Sequence, residues 1–230
     1  MKKTFQTIVS IVFIIIVFFG IGIYLNPDSI FNFQILILIL VTVIMFETQP
    51  KLKKEDFNNS SDQFSMAGIA LVSILVTNAN LAEWASTTNS PNSISMINII
   101  GFLMIWGGLA FRIYAINKLG RFFAVAVNIQ NFHELYDKDI YAFIRHPSYT
   151  GAIITIVGTI LWLESLQVLP FGIVLIASAY YHRITQEEKV LESFFGERYT
   201  IYKQKTGALV PKISELKVFL KKIIKYFKKR

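Results

Sequence analysis

The sequence has no cysteine among its 230 residues and only three histidines. The absence of cysteine excludes disulfides, thiolate nucleophiles and metal sites with cysteine ligands. His133, His146 and His182 are not spaced as in His-x-x-His or His-Glu-x-x-His, so we expect no metal site. Glycine-rich phosphate loops and Gly-x-Ser-x-Gly are also missing, which leaves soluble-type dinucleotide binding and the hydrolase elbow unsupported.

Lysine and arginine are missing from three connections between apolar segments, at residues 26–29, 81–95 and 163–168. All 23 basic residues fall on the opposite side of the predicted membrane. Because cytoplasmic loops carry the excess of Lys and Arg, the pattern predicts that both termini and the active site are cytoplasmic. The net charge of +8 then needs no nucleic-acid partner, and the Lys-, Ile- and Asn-rich composition indicates a microbial cell membrane.

Apolar segments dominate what is present, since 53% of the residues are hydrophobic. This share is too high for an ordinary soluble domain of this length. The apolar segments cover residues 7–25, 30–46, 65–82, 96–116, 147–163 and 168–182. We predict an all-α, polytopic integral membrane protein with about five to six transmembrane segments, a C-terminal helical hairpin and cytoplasmic amphipathic helices.

The chain divides into three predicted regions. Residues 1–90 form apolar helices that we interpret as a scaffold, and residues 96–211 contain the aromatic and charged clusters of a catalytic region. Residues 212–230 form a basic amphipathic tail, interpreted as a membrane anchor, with recruitment of an anionic lipid as the alternative. We interpret the first segment as a retained span, since no Ala-x-Ala cleavage site precedes Asn26.

The densest group of polar and aromatic residues surrounds the start of the predicted hairpin. Proline fixes φ and lacks an amide hydrogen, so Pro147 predicts the first position of a helix, with His146 as its N-cap. We predict that the amides of residues 148–150 lack intrahelical acceptors. Such a helix start would bind a carboxylate or a phosphate.

The second arm of the hairpin carries a charged pair. Pro170 suits its first turn, and the helix has no further proline to stop it before Lys203. Arg183 and Glu187 are four residues apart and share a helix face. An ordinary ion pair is the alternative, but the position where an apolar helix leaves the bilayer favours a functional role. His133 is either a catalytic base or a solvated loop histidine.

At these residues the chain resembles the isoprenylcysteine carboxyl methyltransferase family, and more broadly the membrane methyltransferases that include phospholipid N-methyltransferases. The resemblance covers residues 112–211 and consists of an ordered set of residues. These are Arg112, Leu119-Gly120, His133, Tyr141, Arg145-His146-Pro147-x-Tyr149-x-Gly151, Arg183, Glu187-Glu188, Leu191, Phe195-Gly196, Tyr199, Tyr202 and Pro211.

The resemblance implies S-adenosylmethionine as cofactor. The implied cofactor-binding residues are Asn128, His133, Glu134, Leu135, Tyr136, Tyr141, His146, Pro147, Ser148, Tyr149 and Glu187. Asn128 is the nearest match for a contact that is displaced by a shorter loop in this sequence. Arg183 is implied to face the acceptor substrate, and Arg183 and Glu187 are the implied catalytic residues.

The predicted function is therefore S-adenosylmethionine-dependent methylation of a lipid-like or prenylated acceptor at the cytoplasmic membrane face, most simply carboxyl O-methylation. One alternative is a phospholipid or amine N-methyltransferase, with Glu188 as base. Another is an NADPH-dependent membrane sterol-type reductase, although Gln186-Glu187-Glu188 differs from the Arg-Asp-Glu of such reductases. A third is a membrane scaffold or transporter-like protein that has kept the fold and lost activity.

Overall fold

The computed structural model describes residues 32–48, 60–87, 94–120 and 134–215, together with isolated positions between residues 16 and 27. Its α-helices are α1 Phe33–Glu47, α2 Ser60–Thr87, α3 Met96–Leu119, α4 Pro147–Trp162, α5 Val168–Phe195 and α6 Glu197–Lys205. A 3₁₀-helix covers Asp139–Ala142 between α3 and α4. The described residues otherwise contain a single parallel bridge, between Ile144 and Gly207. The predicted all-α fold is confirmed for this part of the chain.

Three of these helices are long and apolar enough to cross a membrane, namely α2 from Phe64 onward, α3 and α5. Helices α1 and α4 are apolar but shorter, with 15 and 16 residues. At 1.5 Å per residue, α4 reaches about 24 Å, which is less than the roughly 30 Å of a hydrocarbon core. The predicted membrane-embedded fold is confirmed, while the number of spans stays a prediction. Most of segment 7–25 lies outside the described residues.

Helix α2 continues through a polar stretch, residues 77–80, that interrupts its apolar sequence. The Asn78 side-chain amide donates to the carbonyl of Ile74 at 2.9 Å, and that of Asn80 donates to the carbonyl of Thr159 at 3.1 Å. A buried amide is tolerated in apolar surroundings when it is hydrogen-bonded. The two asparagines therefore fit within an unbroken helix.

Helices α3 and α4 pack antiparallel with their backbones in direct contact. A Cβ added to Gly108 would lie 2.7 Å from the carbonyl oxygen of Gly151, and one added to Gly158 would lie 2.8 Å from the amide nitrogen of Ile105. Small residues allow such close approach between helices in a membrane. The glycines therefore hold α4 close to α3 along much of its length.

We call the loop from α4 to α5, residues 163–167, the turn end. The name includes the adjoining ends of the two helices and the side chains that bind them. Gln34 of α1 and Asn98 of α3 donate side-chain amides to the carbonyl of Trp162, at 3.2 and 2.8 Å. The carboxylate of Glu83 in α2 accepts the two amides at the start of α5, at 3.0 and 2.9 Å. Three separate helices thus satisfy backbone groups of the hairpin.

Helix α5 extends well beyond the predicted apolar segment and ends at Phe195. Gly196 follows with φ of +55°, a conformation that glycine adopts without steric cost. It separates α5 from α6, so the continuous helix expected as far as Lys203 is interrupted. The glycine turn, rather than a proline, terminates the helix.

Candidate active site

Helix α4 begins as the sequence predicts, with His146 as N-cap and Pro147 at the first helical position. The amide of Arg145 donates to the carbonyl of Gly207 at 2.9 Å, and that of His146 donates to Ala208 at 3.0 Å. The chain that follows α6 is therefore hydrogen-bonded to the chain that precedes α4. We call this region, with the facing part of α5, the motif end.

The first-turn amides of α4 are more fully bonded than the sequence predicted for residues 148–150. The amides of Tyr149 and Thr150 both donate to the carbonyl of His146 at 3.1 Å. The bond from Tyr149 is of the 3₁₀ type, which often tightens a terminal turn. The prediction that all three amides are free is wrong, because the N-cap carbonyl accepts two of them.

Four side chains from α4, its N-cap and α5 form what we call the polar cluster, consisting of His146, Tyr149, Arg183 and Glu187. The Tyr149 hydroxyl donates to Oε2 of Glu187 at 2.6 Å and accepts from Nε of Arg183 at 3.1 Å. Nε of Arg183 lies 3.7 Å from the same Glu187 oxygen. The ring of His146 stacks on that of Tyr149, with centroids 5.5 Å apart and planes 5° apart.

The members of the polar cluster differ in exposure. Arg183 and His146 are 2% and 5% exposed, whereas the side chain of Glu187 is 23% exposed. Nη1 of Arg183 donates to the Ser65 hydroxyl at 3.0 Å, which connects the cluster to α2. Glu187 is thus the more exposed of the two charged members, and Arg183 contacts it from the buried side.

A second charged network surrounds Glu188, the next residue along α5. Its Oε1 lies 2.7 Å from Nε of Arg145 and 3.2 Å from Nε2 of His146, and its Oε2 lies 3.1 Å from Nζ of Lys203. Nη1 of Arg145 also donates to the carbonyl of Thr206 at 2.5 Å. This network joins the start of α4, α5 and the end of α6, and it shares His146 with the polar cluster.

Helix α6 adds a layer of buried tyrosines. The Tyr202 hydroxyl donates to the carbonyl of Tyr141 at 2.7 Å, and the rings of Tyr199 and Tyr202 meet edge to face. Burial raises the pKa of Tyr199 and of Tyr202. Both hydroxyls therefore stay neutral at physiological pH. Burial opposes the charge of Lys203, but its hydrogen bonds to two carboxylates raise the pKa of this lysine overall.

Residues 134–141 lie beside this layer. The rings of Tyr136 and Tyr141 are in edge contact, with centroids 5.6 Å apart, and the Tyr141 hydroxyl donates to the carbonyl of Ala115 at 3.2 Å. Burial raises the pKa of Tyr141. Leu135 lines a cavity of about 210 Å³ beside α6, and Arg198 of α6 lines the same cavity.

The residues of this site match the sequence model of a known family. A sequence model of the isoprenylcysteine carboxyl methyltransferase (ICMT) family matches residues 99–193, which include every member of the polar cluster. This part of the chain is therefore similar to the isoprenylcysteine carboxyl methyltransferase family. The resemblance inferred from the motif residues is confirmed.

Named ICMT relatives match the same part of the chain. The protein-S-isoprenylcysteine O-methyltransferase of Schizosaccharomyces pombe is 36% identical over 124 residues, covering 53% of this chain and 51% of that protein. Protein-S-isoprenylcysteine O-methyltransferase B of Arabidopsis thaliana is 34% identical over 118 residues, covering 50% of this chain and 59% of that protein. The chain thus spans between half and two thirds of the length of these relatives.

A solved ICMT structure extends the likeness to three dimensions. It is described as the eukaryotic intramembrane Ras methyltransferase ICMT without a monobody, and it is 25% identical to this chain with a TM-score of 0.60. The alignment covers 88% of this chain and 74% of the other. The helical membrane fold is therefore shared well beyond residues 99–193.

The structure distributes the residues implied by the ICMT resemblance over two neighbouring groups. The polar cluster unites four of them, and Pro147 and Ser148 lie buried in the same first turn of α4. Tyr136 and Tyr141 form the adjacent aromatic pair. Helix α6 reaches the aromatic pair through the hydrogen bond from the Tyr202 hydroxyl to the carbonyl of Tyr141.

The remaining implied residues are less closely connected. Glu134 is exposed, and Leu135 is partly buried at the cavity beside α6. Asn128 and His133 lie outside the described residues, so their implied cofactor contacts stay predictions.

Sequence reasoning left several residues of this candidate site without a structural role. Glu188 was considered only as a base for an amine acceptor, and Arg145 only as part of a motif. Their adjacency to Glu187 and His146 in the sequence was the available signal. Ser65 gave no signal, because it lies in α2, far from the motifs along the chain.

Proposed function

We propose that this chain is an S-adenosylmethionine-dependent methyltransferase that methylates the carboxylate of a lipid-like or prenylated acceptor at the cytoplasmic membrane face. Residues 96–211 form the catalytic region in this proposal, and residues 1–90 the scaffold. The names of the aligned relatives support carboxyl methylation of an S-isoprenylcysteine. The observation that carries the proposal is the polar cluster, a charged group at the end of apolar helices.

The chemistry of the polar cluster fits a cationic donor with an aromatic part. S-adenosylmethionine supplies a methyl group on a positively charged sulfur, and its transfer to a carboxylate requires no base. Glu187 is partly exposed and attracts positive charge, while Tyr149 holds its carboxylate in place through a hydrogen bond of 2.6 Å. The stacked rings of His146 and Tyr149 offer a flat surface on which the adenine ring of the donor could pack. Positioning of the two reactants accounts for most of the rate enhancement.

Arg183 is proposed to orient the acceptor carboxylate. Its guanidinium presents several donors, of which Nε contacts Tyr149 and Nη1 contacts Ser65. Arginine binds carboxylates with two parallel hydrogen bonds in many sites. The apolar tail of the acceptor would remain among the helices, within the bilayer.

The environment of Glu188 favours a carboxylate acceptor over an amine. An amine must lose a proton before it attacks, and Glu188 was the base considered for that step. Its two oxygens already contact Arg145, His146 and Lys203. A carboxylate among such partners is a weak base, because neighbouring positive charges stabilise its ionised form.

Calorimetric titration with S-adenosylmethionine tests the donor site. We expect Glu187→Ala and Tyr149→Ala to weaken binding by about tenfold or more, since each loses a charged hydrogen bond. Arg183→Ala is expected to lower turnover more than affinity. His182→Ala is the matched control, because His182 is exposed on the same helix. Wild-type affinity in the first two variants would contradict the donor assignment.

Incubation of the purified protein with methyl-labelled S-adenosylmethionine tests the acceptor. With an N-acetylated S-prenylcysteine added as the acceptor, we expect the label in its methyl ester. Mild alkali should then release the label as methanol. Label that resists alkali and resides in the headgroup of an added phospholipid would instead support N-methylation. The same assay with prenylcysteine methyl ester in place of the free acid should give no product.

The absence of cysteine provides a direct test of orientation. Single substitutions Ser86→Cys, near the turn end, and Ser193→Cys, near the motif end, introduce thiols at exposed positions. In intact cells we expect a membrane-impermeant maleimide to label Ser86→Cys only, and both variants after permeabilisation. The reverse pattern in intact cells would put the motif end outside the cytoplasm.

A further inference from the structure

A buried cation in α3, Arg112, lies outside the polar cluster. Arg112 is 2% exposed and lies in a helix that is long and apolar enough to cross a membrane. Burying a guanidinium without a counter-charge is costly, and ionisable residues within membrane helices usually have a functional task. The contacts of Arg112 therefore need an explanation.

The described residues provide no carboxylate partner for the charge of Arg112. Nη1 donates to the backbone carbonyl of Ser148 at 3.2 Å, and the buried Nε has no hydrogen-bond partner among the described residues. The ionisable groups close enough to influence Arg112 are Tyr141, Tyr149 and Tyr180. No carboxylate of the described residues forms an ion pair with it. One neutral carbonyl does not balance a buried positive charge.

Two other arginines at the motif end each have a carboxylate partner. Arg183 contacts Glu187 at 3.7 Å, and Arg145 contacts Glu188 at 2.7 Å. Each of these buried guanidiniums has a protein carboxylate as partner. Arg112 differs from both, although it is buried as fully as Arg183.

The backbone packing of α3 on α4 puts Arg112 inside the site. A Cβ added to Gly151 would lie 2.7 Å from the amide nitrogen of Arg112 and 2.8 Å from its Cβ. Gly151, the final residue of the Arg145–Gly151 motif, thus allows Arg112 to approach the first turn of α4. Its guanidinium reaches Ser148, whose neighbour Tyr149 belongs to the polar cluster.

We propose that Arg112 binds the carboxylate of a ligand of this site, which supplies the missing counter-charge. The proposal rests on the proposed function, under which two ligands carry a carboxylate. One is the amino-acid part of the methyl donor, and the other is the acceptor. Either carboxylate would accept the same kind of charge-assisted hydrogen bond from the buried Nε.

Paired ligands that differ only by the carboxylate-bearing part separate the two sources. For the donor, the pair is S-adenosylhomocysteine and 5′-methylthioadenosine, which lacks the amino-acid end. For the acceptor, the pair is an N-acetylated S-prenylcysteine and its methyl ester. Dissociation constants of all four are measured by calorimetry with wild type, Arg112→Gln and Arg112→Lys.

We expect Arg112→Gln to weaken the carboxylate-bearing member of one pair by about 30-fold and its counterpart by less than about twofold. Arg112→Lys, which keeps the charge, should recover part of the loss. The pair that responds identifies the ligand. Equal changes within each pair, or unchanged affinities throughout, would overturn the proposal and leave a structural role.

The same titrations keep this result distinct from the proposed function. Binding of the carboxylate-free ligands by Arg112→Gln demonstrates that the variant is folded. If the wild-type protein binds neither S-adenosylhomocysteine nor the prenylcysteine, the proposed function fails, and the Arg112 proposal fails with it. If the wild type binds both and Arg112→Gln binds them equally well, only the Arg112 proposal fails.

Discussion

The two ends of the helical bundle both contain buried polar side chains, but of different kinds. At the turn end, the amides of Gln34 and Asn98 bind a backbone carbonyl of the hairpin. At the motif end, the buried groups include the charged side chains of Arg183 and Glu188 and the ring of His146. Arg183 lies 3.7 Å from Glu187, and Glu188 contacts both Arg145 and His146. Neutral bonds predominate at one end and ionic contacts at the other.

This difference indicates where the chain carries its function. A neutral amide that binds a carbonyl satisfies the backbone at small cost, and it holds helices together. Buried ions have a large desolvation penalty, and their replacement by apolar residues is often neutral or stabilising. A membrane protein that retains them at one end therefore has another use for them. The match of residues 99–193 to a methyltransferase family agrees with that interpretation.

The largest effect is expected from Glu188→Ala at the motif end. Removal of this carboxylate leaves Arg145 and His146 buried without their common partner, which should cost about 3–5 kcal/mol. Glu192→Ala is the matched control, because the side chain of Glu192 is 37% exposed and pairs with Lys203 at the protein surface. The thermal unfolding midpoint in detergent checks both variants. If Glu188→Ala and Glu192→Ala unfolded at the same temperature, the comparison between the two ends would fail, because the ionic contacts of Glu188 would contribute nothing to stability.

A slightly smaller effect is expected from Gly151→Ala, which acts on the packing that both ends share. The new Cβ would meet the carbonyl of Gly108 at 2.6 Å and force α3 and α4 apart, at a cost of about 3 kcal/mol. Gly107→Ala is the control, since nothing lies within 4 Å of its added Cβ. Thermal unfolding should separate the two variants clearly. A wild-type midpoint for Gly151→Ala would show that the helices tolerate a wider separation.

The smallest effect is expected from Asn98→Ala at the turn end. This change removes the bond to Trp162 and the capping contact with Ser95, for a loss of about 2 kcal/mol. Asn117→Ala, at an exposed position of the same helix, should have no effect. Affinity for S-adenosylmethionine, measured below the unfolding transition, should not change. A loss of affinity would show that the turn end also shapes the site.

Much of the fold could be predicted from local sequence. Apolar length predicted the helices, and Pro147 fixed the start of α4 through its missing amide. The spacing of Arg183 and Glu187 predicted their contact, because residues four apart share a helix face. Gly196 as the end of α5 was less evident, since a glycine adjacent to an aromatic residue does not by itself predict a positive φ.

The sequence alone therefore determined the membrane class, most helix limits and the residues of the motif. The tertiary structure decided the partners of the charged residues. Glu188 and Glu187 are adjacent on α5, yet they bind different arginines, because successive helical residues point in directions about 100° apart. Arg112 has no carboxylate partner within the described part of the chain for a similar reason, since packing at Gly151 aims it at a backbone carbonyl. Such contacts depend on how separate helices approach, which local spacing does not encode.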